Sequence, residues 1–242
     1  MSAIDVGGVA TYYERHGSGG PVLLLHGGLG SAENFSELTS TLAGHHEVWV
    51  PERYGHGRTP DTAAPFTYDD MAAQTVAFLD AVGVESAHVV GYSDGANIGL
   101  LLASRSPSRI ERLVSISGNF AVSALTMPPP GSRGDLTALF AELTETYERL
   151  SPDGPDHLST IKAKSNRMWQ DWTGIPLADL AAITCPTLVV GADADVVTLE
   201  HTVALFQAIP DAELAVVPGT SHNLIHEKPA MLAALLLAFL HG

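Results

Sequence analysis

His88-Val89-Val90-Gly91-Tyr92-Ser93-Asp94-Gly95-Ala96-Asn97 is the stretch that decides the fold of this 242-residue chain. A short β-branched run ends in G-x-S-x-G, and small residues (Ala96, Gly99, Ala103) follow among leucines at helical spacing. The pattern predicts strand, tight turn and helix, with Ser93 strained in the turn and its hydroxyl exposed at the carboxyl edge of a sheet. Gly91 and Gly95 flank it because strand and helix cross there too closely for larger side chains. G-x-S-x-G alone is common; this setting makes it specific.

On the N-terminal side, Val22-Leu23-Leu24-Leu25 is a continuous apolar run, as in a strand buried on both faces of a parallel sheet. It leads into His26-Gly27-Gly28-Leu29-Gly30-Ser31. Before it, the alternation of Val9 to Glu14 after Gly7-Gly8 predicts a hairpin at the sheet edge. After it come a helix over 34–42, a strand over 48–50, a loop over 51–65 and a helix over 68–82, with Met71, Thr75, Phe78 and Val82 on one face. On the C-terminal side, 110–117 reads as the next strand. Regular alternation then stops. Helices over 136–150 and 161–172 lie between the breaks Met127-Pro128-Pro129-Pro130-Gly131 and Ser151-Pro152-Asp153-Gly154-Pro155 and the next strand, 187–191. A helix over 199–208, a strand over 214–217 and a helix over 229–240 follow. Alternating strands and helices mean an α/β chain, a mostly parallel sheet with helices on both faces. The expected organisation is one core domain, 1–118 and 184–242, interrupted by a small helical cap over 119–183.

The apolar fraction of 45% is that of an ordinary globular protein. A net charge of −15 disfavours nucleic acid, anionic membranes and strongly anionic substrates as partners. The single cysteine, Cys185, excludes an intrachain disulfide and reads as a small buried thiol. The first residues show no basic region followed by an apolar stretch, and the run Met231 to Leu240 is too short to span a bilayer. The expectation is a cytoplasmic protein.

A serine hydroxyl needs a base, and the base needs an orienting carboxylate. Of eleven histidines, His222 sits in the loop after the last predicted strand, at the same sheet edge as Ser93. Gly191-Ala192-Asp193-Ala194-Asp195 offers two carboxylates at that edge; Asp195 is preferred because it leads into the next helix, and Asp193 stays open as the alternative. The order Ser, Asp, His matches this arrangement. Two backbone N–H groups must face the tetrahedral oxygen. They are expected from Asp94, after the nucleophile, and from Gly28, in the loop after Leu25. His45-His46 reads as a solvated pair, since no carboxylate or cysteine falls at ligand spacing, so no metal is expected. His56 reads as a brace for backbone groups, and His201 as exposed.

With these residues in hand, the chain resembles the α/β-hydrolase superfamily over essentially its whole length, through His26-Gly27-Gly28, Gly55-His56-Gly57, Gly91-Tyr92-Ser93-Asp94-Gly95, Asp195 and Ser221-His222. In that family the residue after the His-Gly pair supplies the second oxyanion donor, which maps onto Gly28. The family's loop usually reads Asp-x-Arg-Gly-His-Gly-x-Ser, and Tyr54 replaces the arginine here. Ser93 argues against haloalkane dehalogenases and epoxide hydrolases, which carry aspartate at that position. Asp94 is similar to a subset of esterases that includes valacyclovir-hydrolase-like enzymes; its plain role is a first-turn acid favoured by the helix dipole.

The expected function is a cofactor-independent serine esterase for small to medium apolar acyl groups, its partner a small-molecule acyl substrate. Leu29, Phe120, Phe140, Met168, Trp169 and Trp172 are the candidates to line its pocket. A lactonase, thioesterase, aminopeptidase or C–C bond hydrolase would use the same residues, as would a lyase or perhydrolase. A ligand receptor with a silent triad is the alternative from another class.

Overall fold

In a computed structural model, described over residues 2–241, the chain forms one eight-stranded sheet in the order β1-β2-β4-β3-β5-β6-β7-β8. Met1 and Gly242, the outer ends of the core segments read from the sequence, lie outside the described residues. β1 (Ser2–Val6) and β2 (Val9–Gly17) pair antiparallel as the edge hairpin, and β2 runs antiparallel to β4 (Glu47–Pro51). Every other pairing is parallel, through β3 (Pro21–Leu25), β5 (Ala87–Tyr92), β6 (Ile110–Ile116), β7 (Thr187–Ala194) and β8 (Ala212–Ser221). This is the α/β-hydrolase fold.

The helices are α1 (Ser36–Leu42), α2 (Tyr68–Val82), α3 (Asp94–Arg105), α4 (Thr137–Leu150), α5 (Leu158–Asp171), α6 (Leu177–Ala181), α7 (Leu199–Ala208), α8 (Leu224–Glu227) and α9 (Pro229–Leu240). Alternate strand residues feed two cores. Leu23, Leu25, Val89 and Leu113 pack with α2, α3 and α7 on one face. Val22, Leu24, Val90 and Val114 pack with α1 and α9 on the other. That is why the central strands read as unbroken apolar runs. Among the described residues no helix is long and apolar enough to cross a membrane.

Between β6 and β7 lie α4, α5 and α6. α4 buries Leu139, Leu143 and Tyr147, and α5 buries Ile161, Ser165 and Met168, each a stripe at helical spacing. α5 begins at Leu158, three residues before the expected start, because Gly154 with φ +83° lets the chain enter through a short turn at Pro155. The Lys164 ammonium and the His157 ring both bond the Asp61 carboxylate, tying α5 to the loop after β4.

Two histidine expectations are corrected. His46 is buried, packed against the rings of His88 and His241, although His45 beside it is exposed. His201 is half-buried: its ring stacks on Phe120 and its Nε2 accepts the Phe120 N–H at 3.0 Å. Their partners lie far away in the chain, which local polarity does not reveal.

α3 crosses close to the end of β3 at Gly95. A Cβ on Gly95 would sit 1.9 Å from the Leu25 carbonyl oxygen and 2.7 Å from that of His26. Neither atom belongs to a flexible side chain. Gly95→Ala is therefore expected to cost at least about 3 kcal/mol, lowering the thermal midpoint by about 6–12 °C. A calorimetric midpoint equal to that of the wild type would refute this account of the turn.

Candidate active site

Ser93 occupies the turn between β5 and α3 with φ +54° and ψ −118°, a backbone region that an L-residue enters only under strain. The turn is held by Ser93 N–H to the Ile116 carbonyl at 2.9 Å. Gly91 cannot carry a side chain either, since a Cβ there would meet the Gly95 carbonyl oxygen at 2.2 Å. The strain places Ser93 Oγ in reach of a base.

His222 Nε2 lies 3.0 Å from Ser93 Oγ, and His222 Nδ1 lies 2.7 Å from Asp195 Oδ1. A carboxylate cannot donate, so Nδ1 carries the ring proton and Nε2 is free to accept from the serine. The loop bearing His222 follows β8. It is fixed by the Tyr92 hydroxyl donating to the His222 carbonyl at 2.8 Å, and by Glu227 accepting from Ser221 Oγ at 2.7 Å and Ser221 N–H at 2.6 Å. Asp195 also accepts from Ser117 Oγ at 2.5 Å and from the Val197 N–H at 3.2 Å. Burial raises the Asp195 carboxyl, yet the His222 ring and these donors together hold it below the usual carboxylate range. Asp193 is elsewhere: it is exposed, pairs with Arg133 at 2.8 Å and accepts the Thr220 N–H at 3.0 Å.

Gly28 and Asp94 line the same cavity as Ser93, and neither backbone N–H has a partner among the described residues. The two glycines of the His-Gly-Gly motif are closely packed. A Cβ on Gly27 would meet the Tyr92 ring at 3.2 Å, and one on Gly28 would meet Asp94 Oδ2 at 2.6 Å and Trp169 Cζ2 at 2.7 Å. The Asp94 carboxylate does more than complement the helix dipole: it accepts from the Tyr68 hydroxyl at 2.6 Å and from Trp169 Nε1 at 3.1 Å. Burial, then the Asp94 charge, pushes the Tyr68 hydroxyl well above its ordinary range.

The cavity above Ser93 measures about 170 Å³. Its far wall is apolar, from Leu136, Leu139, Phe140 and Leu143 on and beside α4, Trp169 and Trp172 around the end of α5, and Val122, Leu125 and Met127 before α4. Among the described residues no lysine or arginine lines it, and Asp94 is its one carboxylate. Among the described residues no group of His, Cys, Asp and Glu is placed to hold a metal ion.

Of the pocket candidates, Phe140, Trp169 and Trp172 line this cavity, whereas Leu29, Phe120 and Met168 do not. Leu29 has φ +58° and turns its side chain into the core, Met168 is buried in the core from α5, and Phe120 stacks on His201. Ser117, Tyr68 and the α4 leucines line it as well. The α4 stripe was open to detection from its periodicity, but Ser117 and Tyr68 carry no local signal.

A strained nucleophile turn, a Ser–His–Asp relay and a glycine loop at one edge of this sheet define the α/β hydrolases as a class. The family model for the alpha/beta hydrolase fold matches residues 20–141, half of the chain, and the chain belongs to that family. It is similar to a protein named "Putative carbamate hydrolase RutD" from Azorhizobium caulinodans, 29% identical over 94% of both chains. It is also similar to a 2-hydroxymuconate semialdehyde hydrolase from a Pseudomonas species, 26% identical over 98% of this chain and 92% of that one. Among solved structures, an N-acyl homoserine lactone degrading enzyme superposes with a TM-score of 0.77 at 27% identity, over 98% of this chain and all of the other. The protein is a hydrolase.

Proposed function

We propose that this hydrolase cleaves carboxylic esters of small to medium apolar acids through an acyl-enzyme. Ser93 Oγ attacks the carbonyl as its proton passes to His222 Nε2, and Asp195 holds the ring and balances the imidazolium. The developing oxyanion lies between the N–H groups of Gly28 and Asp94. His222 then protonates the leaving alcohol, and a water activated by the same ring releases the acid. No cofactor takes part. The insert over 119–183 acts as the cap that selects the acyl group.

The observation that carries this reading is the unbroken relay of 3.0 and 2.7 Å from a strained serine that opens into an apolar cavity. The absence of lysine and arginine from that cavity's lining favours neutral acyl groups over carboxylate-bearing C–C hydrolase substrates. Carbamates, which the similarity to the RutD protein suggests, and lactones are the second reading, since the same relay serves them. The test is hydrolysis of p-nitrophenyl esters of increasing acyl length, beside a p-nitrophenyl carbamate and a homoserine lactone. The rate is expected to rise to a maximum at short to medium chains and fall as the chain outgrows the cavity. Faster carbamate or lactone turnover would replace the ester reading. No turnover of any of these, and no labelling of Ser93 by a fluorophosphonate, would leave a binding protein.

A further inference from the structure

Arg53 is buried, 3% exposed, beneath the glycine loop, and no carboxylate is among its hydrogen-bond partners. Its Nη1 donates to the His26 carbonyl at 2.6 Å and its Nη2 to the Gly27 carbonyl at 2.8 Å, while Nε has no partner. Burial pulls the guanidinium down to about 10, against the opposing attraction of Asp94, so it stays charged at neutral pH.

The Gly27 carbonyl is the focus of these contacts. It also accepts the Gly30 N–H at 3.2 Å and lies 2.8 Å from His26 Nδ1. His26 Nε2 accepts the Arg53 N–H at 3.2 Å, so the ring proton resides on Nδ1 and donates to that same carbonyl. Burial and the neighbouring guanidinium hold His26 well below the imidazole range, which keeps the ring neutral. Three donors, one of them a cation, therefore converge on one carbonyl oxygen.

That carbonyl and the N–H of Gly28 belong to one peptide group, whose resonance couples the two ends. Electron density drawn toward the oxygen leaves the N–H more strongly polarised and fixes the direction in which it points. We propose that Arg53 is a positioning residue of the oxyanion site, aiming and polarising the Gly28 N–H through the Gly27 carbonyl. A buried cation without an ion pair is costly to desolvate, and a neutral donor would suffice for a mere tether. The charge behind the Gly28 amide is what a developing negative oxygen in front of it would use. The inference rests on the acyl-transfer reading above for its catalytic consequence, but not for the polarisation itself.

The test compares Arg53→Met and Arg53→Lys with the wild type in three readouts: p-nitrophenyl butyrate kinetics, the rate of Ser93 labelling by a fluorophosphonate, and the amide proton shift of Gly28 in a ¹H–¹⁵N spectrum. Arg53→Met keeps the side-chain length without charge or donors. It is expected to lower kcat by about ten- to a hundredfold, less than deletion of an oxyanion donor, with KM nearly unchanged. Labelling should slow in parallel and the Gly28 proton should move upfield. Arg53→Lys, which keeps the charge and one donor, should recover part of each loss. An unchanged kcat in Arg53→Met, a loss confined to KM, or an unmoved Gly28 proton overturns the proposal. Should Arg53→Met not fold, Arg53→Gln, a donor without the charge, with wild-type kcat and Gly28 shift overturns it equally. A wild type that neither turns over esters nor labels at Ser93 defeats the acyl-transfer reading, and the Gly28 shift still decides whether Arg53 polarises the amide.

Discussion

Ester turnover is expected to fall by about 10⁶-fold when Ser93 is replaced by alanine, the loss typical of a nucleophile removed from an intact relay. The fold should survive. Alanine adopts the φ of +54° with no more strain than serine, and the only side-chain bond lost is the 3.0 Å contact to His222. A net hydrogen bond of this kind contributes about 1 kcal/mol, so the thermal midpoint should shift by no more than about 4 °C. Fluorophosphonate labelling should vanish with turnover. Residual activity within tenfold of the wild type, in protein free of contaminating esterase, would remove Ser93 from the chemistry and with it the acyl-enzyme.

The second large effect is at Asp195. Replacement by alanine is expected to cost about 10⁴-fold in kcat, because three donors lose their acceptor at once: His222 Nδ1, the Ser117 hydroxyl and the Val197 N–H. The imidazole then loses both its orientation and the charge that stabilises its protonated form. The same change at Asp193 is the control. That carboxylate is exposed and bonds Arg133 and the Thr220 N–H, so its loss should leave turnover intact and alter stability by about 0.5 kcal/mol or less. Comparable losses at both positions would show that the relay runs differently.

Asp195 also sets a pH signature. Its folded carboxyl lies below the unfolded value, so its contribution to stability is complete above the ordinary carboxylate range and is lost as pH falls through the lower, folded value. The stability gap between wild type and Asp195→Ala should therefore persist through mildly acidic pH and close only in stronger acid.

What the chain declares by itself is the frame of the site. The β-branched run into Gly91-Tyr92-Ser93-Asp94-Gly95, the apolar run into His26-Gly27-Gly28, and the loops bearing Asp195 and His222 are set by local backbone preferences and by steric needs for glycine. Parallel strands then bring all four loops to one edge, which is why the chain order alone places Ser93, Asp195 and His222 near one another and why the edge hairpin and the strand–helix order were legible. The cap was less so. Helical spacing marks the buried stripe of α5 but not what it faces, and Trp169 lines the cavity while its neighbour Met168 is buried in the core. Leu29, Phe120 and His201 lie outside that stripe, and their side-chain directions are set by a left-handed loop residue and by a ring contact distant in sequence. Tertiary structure alone decided that Ser117 would reach Asp195, that Tyr68 and Trp169 would meet on Asp94, and that Arg53 would lie under the Gly27 carbonyl. These are contacts between side chains distant in sequence, whose directions follow from packing rather than from local backbone geometry.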